Sequence, residues 1–403
     1  MLRASEVLQI AVIALLGMAV VMVHSAGMTV QATGATPGVS GTPGTPGAAE
    51  GVLVILRSRT SLYAGLAILA MVVAVRLNIR RALEVRGWAN PLFPVVALSL
   101  VLLVLTFVPG LGRSINGASR WLYLGPRIWG LSFQPSELLK WVLVVAIAFW
   151  CSRRRMVMHR FGMGLVPPLL LTAVACGLIV VEDLGTAALI ALVAGCLLIA
   201  GGARLWQLVL MAPLAAAVLV AAIWHNPYRV QRLTAFFDPW SDPRGSGYHP
   251  IQSMLAIAQG GIGGRGLGNG VQKFGYLPED TTDFIFAIIC EELGLAGAVL
   301  VISLYLVILW VGLGVVRRCR DTFSRLVGLG VLLVIGLQTL INLAVVTVVV
   351  PTKGIALPLL SHGGTGWILT AAAVGMLASL DRTTTEESGE GRLEGWKHGR
   401  VGG

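Results

Sequence analysis

Apolar runs separated by short charged breaks repeat along almost the whole chain. Ten of them, at 7–30, 62–75, 91–108, 136–150, 166–181, 184–200, 206–224, 293–316, 326–350 and 355–380, approach the length of a membrane crossing. A helix needs roughly 20 apolar residues to cross the hydrocarbon layer. The runs at 62–75 and 136–150 are short, and 166–181 nearly touches 184–200 through Glu182 and Asp183, a tight polar hairpin at a membrane face. The pattern predicts an all-α integral membrane protein of about ten transmembrane helices. One polytopic domain then covers 1–380, with a large extracytoplasmic loop at 225–292 between the seventh and eighth spans. Residues 34–51 are nearly all Gly, Pro, Thr and Ala, and are expected as a flexible extracytoplasmic loop. The polar tail at 381–403 is expected to be disordered in the cytoplasm. Arg3 ahead of an apolar stretch ending near Ser25 and Ala26 also fits a cleavable signal peptide, which would leave nine spans.

Composition excludes the soluble alternatives. Hydrophobic residues make up 56%, charged residues 12%, and mean hydropathy is +0.82. Soluble domains carry about 25% charged residues, so this chain cannot cover a globular surface. Disordered, collagen-like and disulfide-stapled secreted classes fall away with it. The net charge of +11 invites a nucleic-acid reading, but the basic residues sit in the breaks between apolar runs. With the N-terminus inside, the cytoplasmic breaks hold Arg76, Arg80, Arg81, Arg86, Arg153, Arg154, Arg155, Arg160, Arg204, Arg317, Arg318, Arg320 and Arg325. Only Glu84 and Asp321 oppose them, so the positive-inside rule puts both termini in the cytoplasm. Five scattered cysteines with no CxxC read as packing residues, and no metal motif appears.

Ionisable residues collect at the outer face, not at the middle of the spans where a transporter would place them. Glu137 and Lys140 are spaced i,i+3 behind a Gln134-Pro135-Ser136 helix start, so they can pair on one face. That pair reads either as a structural lock between helices or as a ligand-placing device. The glycine run from Gly260 to Gly270 has no Gly-Lys-Ser/Thr ending and no βαβ setting, so it is no P-loop. Turn-making or close approach to a lipid-linked phosphate explains it better. In Lys273–Phe286, Asp283 is followed at once by apolar residues. A carboxylate at the water–lipid boundary is a better base, and a plain helix cap explains the same position equally well.

These residues carry a resemblance. Ser114-Ile115-Asn116-Gly117-Ala118-Ser119-Arg120-Trp121, Phe133-Gln134-Pro135-Ser136-Glu137-Leu138-Leu139-Lys140 and Asp183-Leu184-Gly185-Thr186 come first. Pro227-Tyr228-Arg229-Val230-Gln231-Arg232-Leu233, Asp238-Pro239-Trp240, Gly245-Ser246-Gly247-Tyr248, the 273–286 stretch, Glu291-Glu292-Leu293-Gly294 and Pro351-Thr352-Lys353-Gly354 follow in order. Over 7–380 the chain resembles the SEDS proteins (shape, elongation, division and sporulation), the FtsW/RodA type of bacterial cell-wall polymerase. Asp-Pro-Trp and Pro-Thr-Lys-Gly look more like the FtsW side. Departures are His362 in the Ser-Tyr-Gly-Gly-Ser-Ser block, Val348 where glycine is usual, and His249-Pro250, which interrupts the helix expected after Tyr248. The insert at 34–51 is a fourth.

The resemblance implies a peptidoglycan glycosyltransferase of the bacterial cytoplasmic membrane. It would polymerise lipid II into β-1,4 glycan on the outer face during cell division, with a class B penicillin-binding protein and other divisome or elongasome membrane proteins as partners. It implies that Asp283 is the catalytic aspartate, and an inverting reaction needs one base. Lys273, Glu279, Arg229, Arg265, Lys353 and Asp183 are the expected substrate-binding residues, with Arg and Lys facing the pyrophosphate. Glu137 and Lys140 form the family's membrane ion pair. No cofactor is firmly implied, and Mg²⁺ or Mn²⁺ would ride on the substrate pyrophosphate. A lipid II flippase and a noncatalytic scaffold that activates the penicillin-binding protein are the rival readings.

Overall fold

The structure is a computed structural model that describes residues 2–32, 58–77, 79–83, 85, 90–115, 118–123, 132–272, 282–362 and 364–398. The 34–51 insert lies outside them. Each apolar run carries a helix: α1 (Ala4–Ala32), α2 (Arg59–Arg76), α3 (Leu92–Leu105), α4 (Pro135–Arg153), α5 (Val166–Val180), α6 (Leu184–Ala200) and α7 (Leu205–Trp224). The long loop then forms α8 (Pro227–Phe237) and α9 (Tyr248–Gly260), before α10 (Ile285–Arg318), α11 (Thr322–Val346) and α12 (Thr365–His398). Among the described residues seven helical stretches are long and apolar enough to cross a membrane alone, α5 counted with the turn before it from Phe161, and α3, α6 and the apolar part of α12 are the shorter ones.

Burial orders the bundle. In α1, Leu8, Val12, Leu15 and Ala19 are fully buried against α10 and α12, whose own core residues include Tyr305 and Trp367. Toward its C-terminal end the Ser25 hydroxyl donates to both Glu292 oxygens at 2.8 and 2.9 Å. A segment seated like this is a core helix, and removing it as a signal peptide would open the centre of the bundle. The free cysteines Cys151, Cys290 and Cys319 are buried. By contrast only 6% of the apolar window of α7 is buried, so its Leu and Val side chains are left to lipid.

Four features depart from expectation. A small antiparallel sheet, β1 (Gly112–Ile115), β2 (Ala118–Tyr123) and β3 (Ser132–Phe133), stands between α3 and α4. The tenth helix begins at Thr365, not 355, because Pro351, Gly354 and Pro358 break the segment before it. Helix α9 is not interrupted by Pro250. Proline in a first helical turn lacks only an N–H that has no intrahelical partner there. The backbone of α12 runs on as helix through the polar tail to His398, in a stretch with no proline after Leu380.

The glycine run from 260 to 270 has a structural explanation. Helix α10 breaks at Gly294, whose φ of 64° suits glycine, and the run wraps that break. A side chain on Gly264 would lie 2.2 Å from the Glu292 carbonyl oxygen, and one on Gly260 would lie 1.8 Å from that of Cys290. The close approach is therefore to another stretch of backbone.

Val348 and Leu359 adopt φ of 58° and 63°, the left-handed region that β-branched and bulky residues avoid. They flank the 351–357 segment. An L-residue there costs about 1–2 kcal/mol, while glycine adds back about 0.5–1 kcal/mol of backbone entropy. Val348→Gly should therefore raise thermal stability slightly, by up to about 1 kcal/mol. A lower melting temperature in detergent would show that the valine side chain contributes more than its strain costs.

Candidate functional site

The seven residues 351–357 form the hub of the candidate site. Asn342, buried on α11, donates from Nδ2 to the carbonyl oxygens of Asp283 (2.9 Å) and Ile355 (2.7 Å). One amide thus joins the turn that precedes α10 to the hub. The Asp283 carboxylate lies directly against Gly354, so close that a Cβ there would sit 2.5 Å from Oδ2. Glycine at 354 is what admits the carboxylate.

Lys353, next in the chain, stands within the fields of Asp183, ahead of α6, and Arg229 on α8. Burial pushes its ammonium below the ordinary lysine value, Asp183 opposes this, and the Arg229 charge adds to the downward push. The Asp183 side chain caps α6, accepting from Thr186 N (3.0 Å) and Thr186 Oγ1 (2.9 Å), and it lies 3.4 Å from Arg120 Nη1. Ile355 packs over Gly185 on the first turn of that helix. Arg229 donates to the carbonyls of Val180, Val181 and Ala222, tying the ends of α5 and α7. Its neighbour Arg232 reaches the Thr352 carbonyl.

The pair expected on α4 is present. Lys140 Nζ lies 2.9 and 2.8 Å from the two Glu137 oxygens and donates to Gln338 Oε1 at 3.0 Å. Gln338 Nε2 then donates to the Ala356 carbonyl at 2.8 Å. The pair is therefore linked to the hub through one amide.

Asp283, Lys353, Asp183, Arg229, Glu137 and Lys140 all connect to this hub. Arg265 does not share these links. Its Nη1 lies 3.9 Å from the fully buried Glu291 carboxylate, which also accepts from the backbone N–H groups of Val271 and Gln272. Lys273 and Glu279 lie outside the described residues. Among the described residues no group of three His, Cys, Asp or Glu side chains is set to hold a metal ion.

Sequence reasoning missed Gln338 and Asn342, although two amides at i,i+4 inside an apolar run are a legible signal of one polar helix face. It also passed over Arg120 as a site residue. Ser119 N donates to Glu182 Oε2 at 2.9 Å and Arg120 to the Glu182 carbonyl, so the sheet is pinned to the α5–α6 turn.

The profile of the cell cycle protein family that unites FtsW, RodA and SpoVE matches residues 6–386. A probable peptidoglycan glycosyltransferase FtsW from Geobacter sp. (strain M18) is 38% identical over 80% of this chain and 85% of its own length. Stage V sporulation protein E of Bacillus subtilis (strain 168) is 36% identical over 80% of this chain and 86% of its own. Among solved structures, a chain from a peptidoglycan synthase complex that coordinates polymerisation and crosslinking superposes with TM-score 0.66 at 28% identity, covering 91% of this chain and 97% of that one. The rod shape determining protein RodA of Thermus thermophilus gives TM-score 0.59 at 25% identity over 93% and 95%. With the match running from the first span through the tenth, this chain belongs to the FtsW, RodA and SpoVE family of multi-pass membrane proteins.

Proposed function

We propose that this protein is a peptidoglycan glycosyltransferase that polymerises lipid II into β-1,4 glycan strands at the outer face of the cytoplasmic membrane during cell division. Both termini lie in the cytoplasm in this reading, and a class B penicillin-binding protein is the crosslinking partner. One observation carries the chemistry: the Asp283 carboxylate rests on Gly354 while the Lys353 cation precedes it in the chain. A proton acceptor and an anion-stabilising charge are thus fixed to one short segment.

In the reaction, Asp283 takes the proton of the acceptor sugar's 4-hydroxyl. That oxygen forms a bond to C1 of the donor sugar as the bond from C1 to the pyrophosphate breaks. The electron pair leaves with undecaprenyl pyrophosphate, and displacement from the opposite face converts the α-linkage to β. Lys353 meets the departing charge, with Arg229 nearby and Asp183 holding the cations in register. Lys273, Glu279 and Arg265 remain the proposed substrate contacts of the loop. Any Mg²⁺ or Mn²⁺ would be held on substrate oxygens.

The test is purified protein with its cognate class B partner, given labelled lipid II in detergent and, separately, in sealed vesicles. Long glycan in detergent is the expected result. Transfer of lipid II across the vesicle bilayer without polymer would favour a flippase, and failure of both with a folded complex would favour a scaffold.

Lys353 adds a pH dependence. Because its pKa is lowered, raising the pH removes its charge earlier than for an ordinary lysine. KM for lipid II should therefore climb on the alkaline side. Lys353→Arg keeps its charge at every accessible pH, so that climb should vanish even if kcat falls. A climb that survives in the arginine variant would assign it to another group.

A further inference from the structure

Helix α9 lies across both strands of backbone that hold Asp283. At its start the His249 ring stacks on Phe284, with ring centroids 5.9 Å apart and planes 19° from parallel. Tyr248 meets the same imidazole edge-on at 6.4 Å. One turn along the same face, the fully buried Ser253 donates to the Val346 carbonyl at 2.7 Å. Phe284 directly follows Asp283. Val346 ends α11, one turn beyond Asn342, which binds the Asp283 carbonyl. At the far end of α9, Gly260 packs so tightly on Cys290 that no side chain fits. The helix is thus clamped to α10 at two points and to α11 at one.

We infer that His249 is a positioning residue for the glycosyl transfer: its ring is a platform that fixes Phe284 and thereby aims the Asp283 carboxylate at the acceptor hydroxyl. The inference rests on Asp283 acting as the base. A displacement of about 1 Å at a reacting group can cost on the order of a hundredfold in rate, so a flat, close-packed support beside the base has leverage that a distant packing residue lacks. Phe284 is itself buried, which leaves it little room to move while the imidazole stays in place. The role uses the face of the ring, not a proton on it.

Polymerisation of labelled lipid II by the full chain with its class B partner tests this, with kcat, KM and the pH profile read for His249→Ala, His249→Leu and His249→Phe. Leucine keeps bulk without a flat face, and it serves should the alanine variant not fold. The expected result is a loss in kcat of about tenfold or more for alanine and leucine, with KM within about twofold. Phenylalanine should return kcat to within about threefold of the parent with an unaltered pH profile. Parent-like kcat in the leucine variant would overturn the inference, as would a phenylalanine variant as slow as leucine or missing a limb of the pH profile. Asp283→Asn assayed in parallel separates the two readings. If that variant is active, the base assignment itself has failed. If it is inactive while the His249 variants are unaffected, only the positioning role has.

Discussion

Asp283→Asn should abolish polymerisation while leaving the protein folded. A positioned general base contributes typically about 10²–10⁴-fold, so the rate of glycan formation should fall by that order. Asparagine has the shape of aspartate, and the backbone carbonyl of residue 283, which receives the Asn342 amide at 2.9 Å, is untouched by the change. Thermal stability in detergent and co-purification with the class B partner should therefore match the parent. Gly354→Ala is the complementary change, since it leaves the base in place and takes its seat away. A Cβ at 354 would lie 2.5 Å from Asp283 Oδ2, so the carboxylate must swing aside, and kcat should fall by roughly tenfold or more. Normal polymer from a folded Asp283→Asn sample would remove Asp283 from the chemistry, and a second active variant at 354 would dismantle the hub as well.

The spans were legible because bilayer thickness imposes a length on every apolar run, and the breaks between runs carry charge. That logic misleads where backbone is irregular yet apolar. Ile355, Leu357, Leu359 and Leu360 look like the start of a tenth span, but they are buried in protein within a non-helical loop. Such backbone is tolerated at membrane depth because protein partners satisfy it. Here they include Asn342, Gln338 and the Tyr305 hydroxyl on the Pro358 carbonyl. The site was legible as a set of residue types, not as an arrangement. Asp283 and Lys353 are 70 positions apart in the chain, and no periodicity announces that the Asp283 carboxylate packs on Gly354, the residue next to Lys353. Nor does sequence reveal that Arg229 is tied to helix-end carbonyls, or that Arg265 is turned to Glu291. A cation in a motif can face the ligand, hold the scaffold or do both, and its protein acceptors are visible only in the fold. Val348 is a mixed case: its departure from glycine is visible in the sequence, but that it sits in a left-handed turn with φ of 58° is visible only in the fold.

Removing one member of the Glu137–Lys140 pair should destabilise the protein more than any other change considered. Lys140 is 2% exposed and stands above apolar side chains of α4, α6 and α11, among them Leu143, Ile190 and Val334. Breaking a buried ion pair costs about 3–5 kcal/mol, whereas replacing both partners by well-packed hydrophobic residues of similar volume is often near neutral. Lys140→Met should therefore lower the melting temperature steeply, and Glu137→Leu with Lys140→Met together should recover most of the loss. Activity separates the two meanings of the pair. Lys140 also holds Gln338, whose amide in turn supports the hub at Ala356. With Lys140 gone, nothing in that chain fixes the Gln338 oxygen, and its amide can rotate away from the carbonyl. The double variant should then be stable yet roughly tenfold slower in polymerisation, the signature of a lock that also sets the geometry of the base. Full activity in the stable double variant would reduce the pair to a fastening between α4 and α11. Stability that fails to return would instead mean that the charges themselves, and not only their pairing, are required by the bundle.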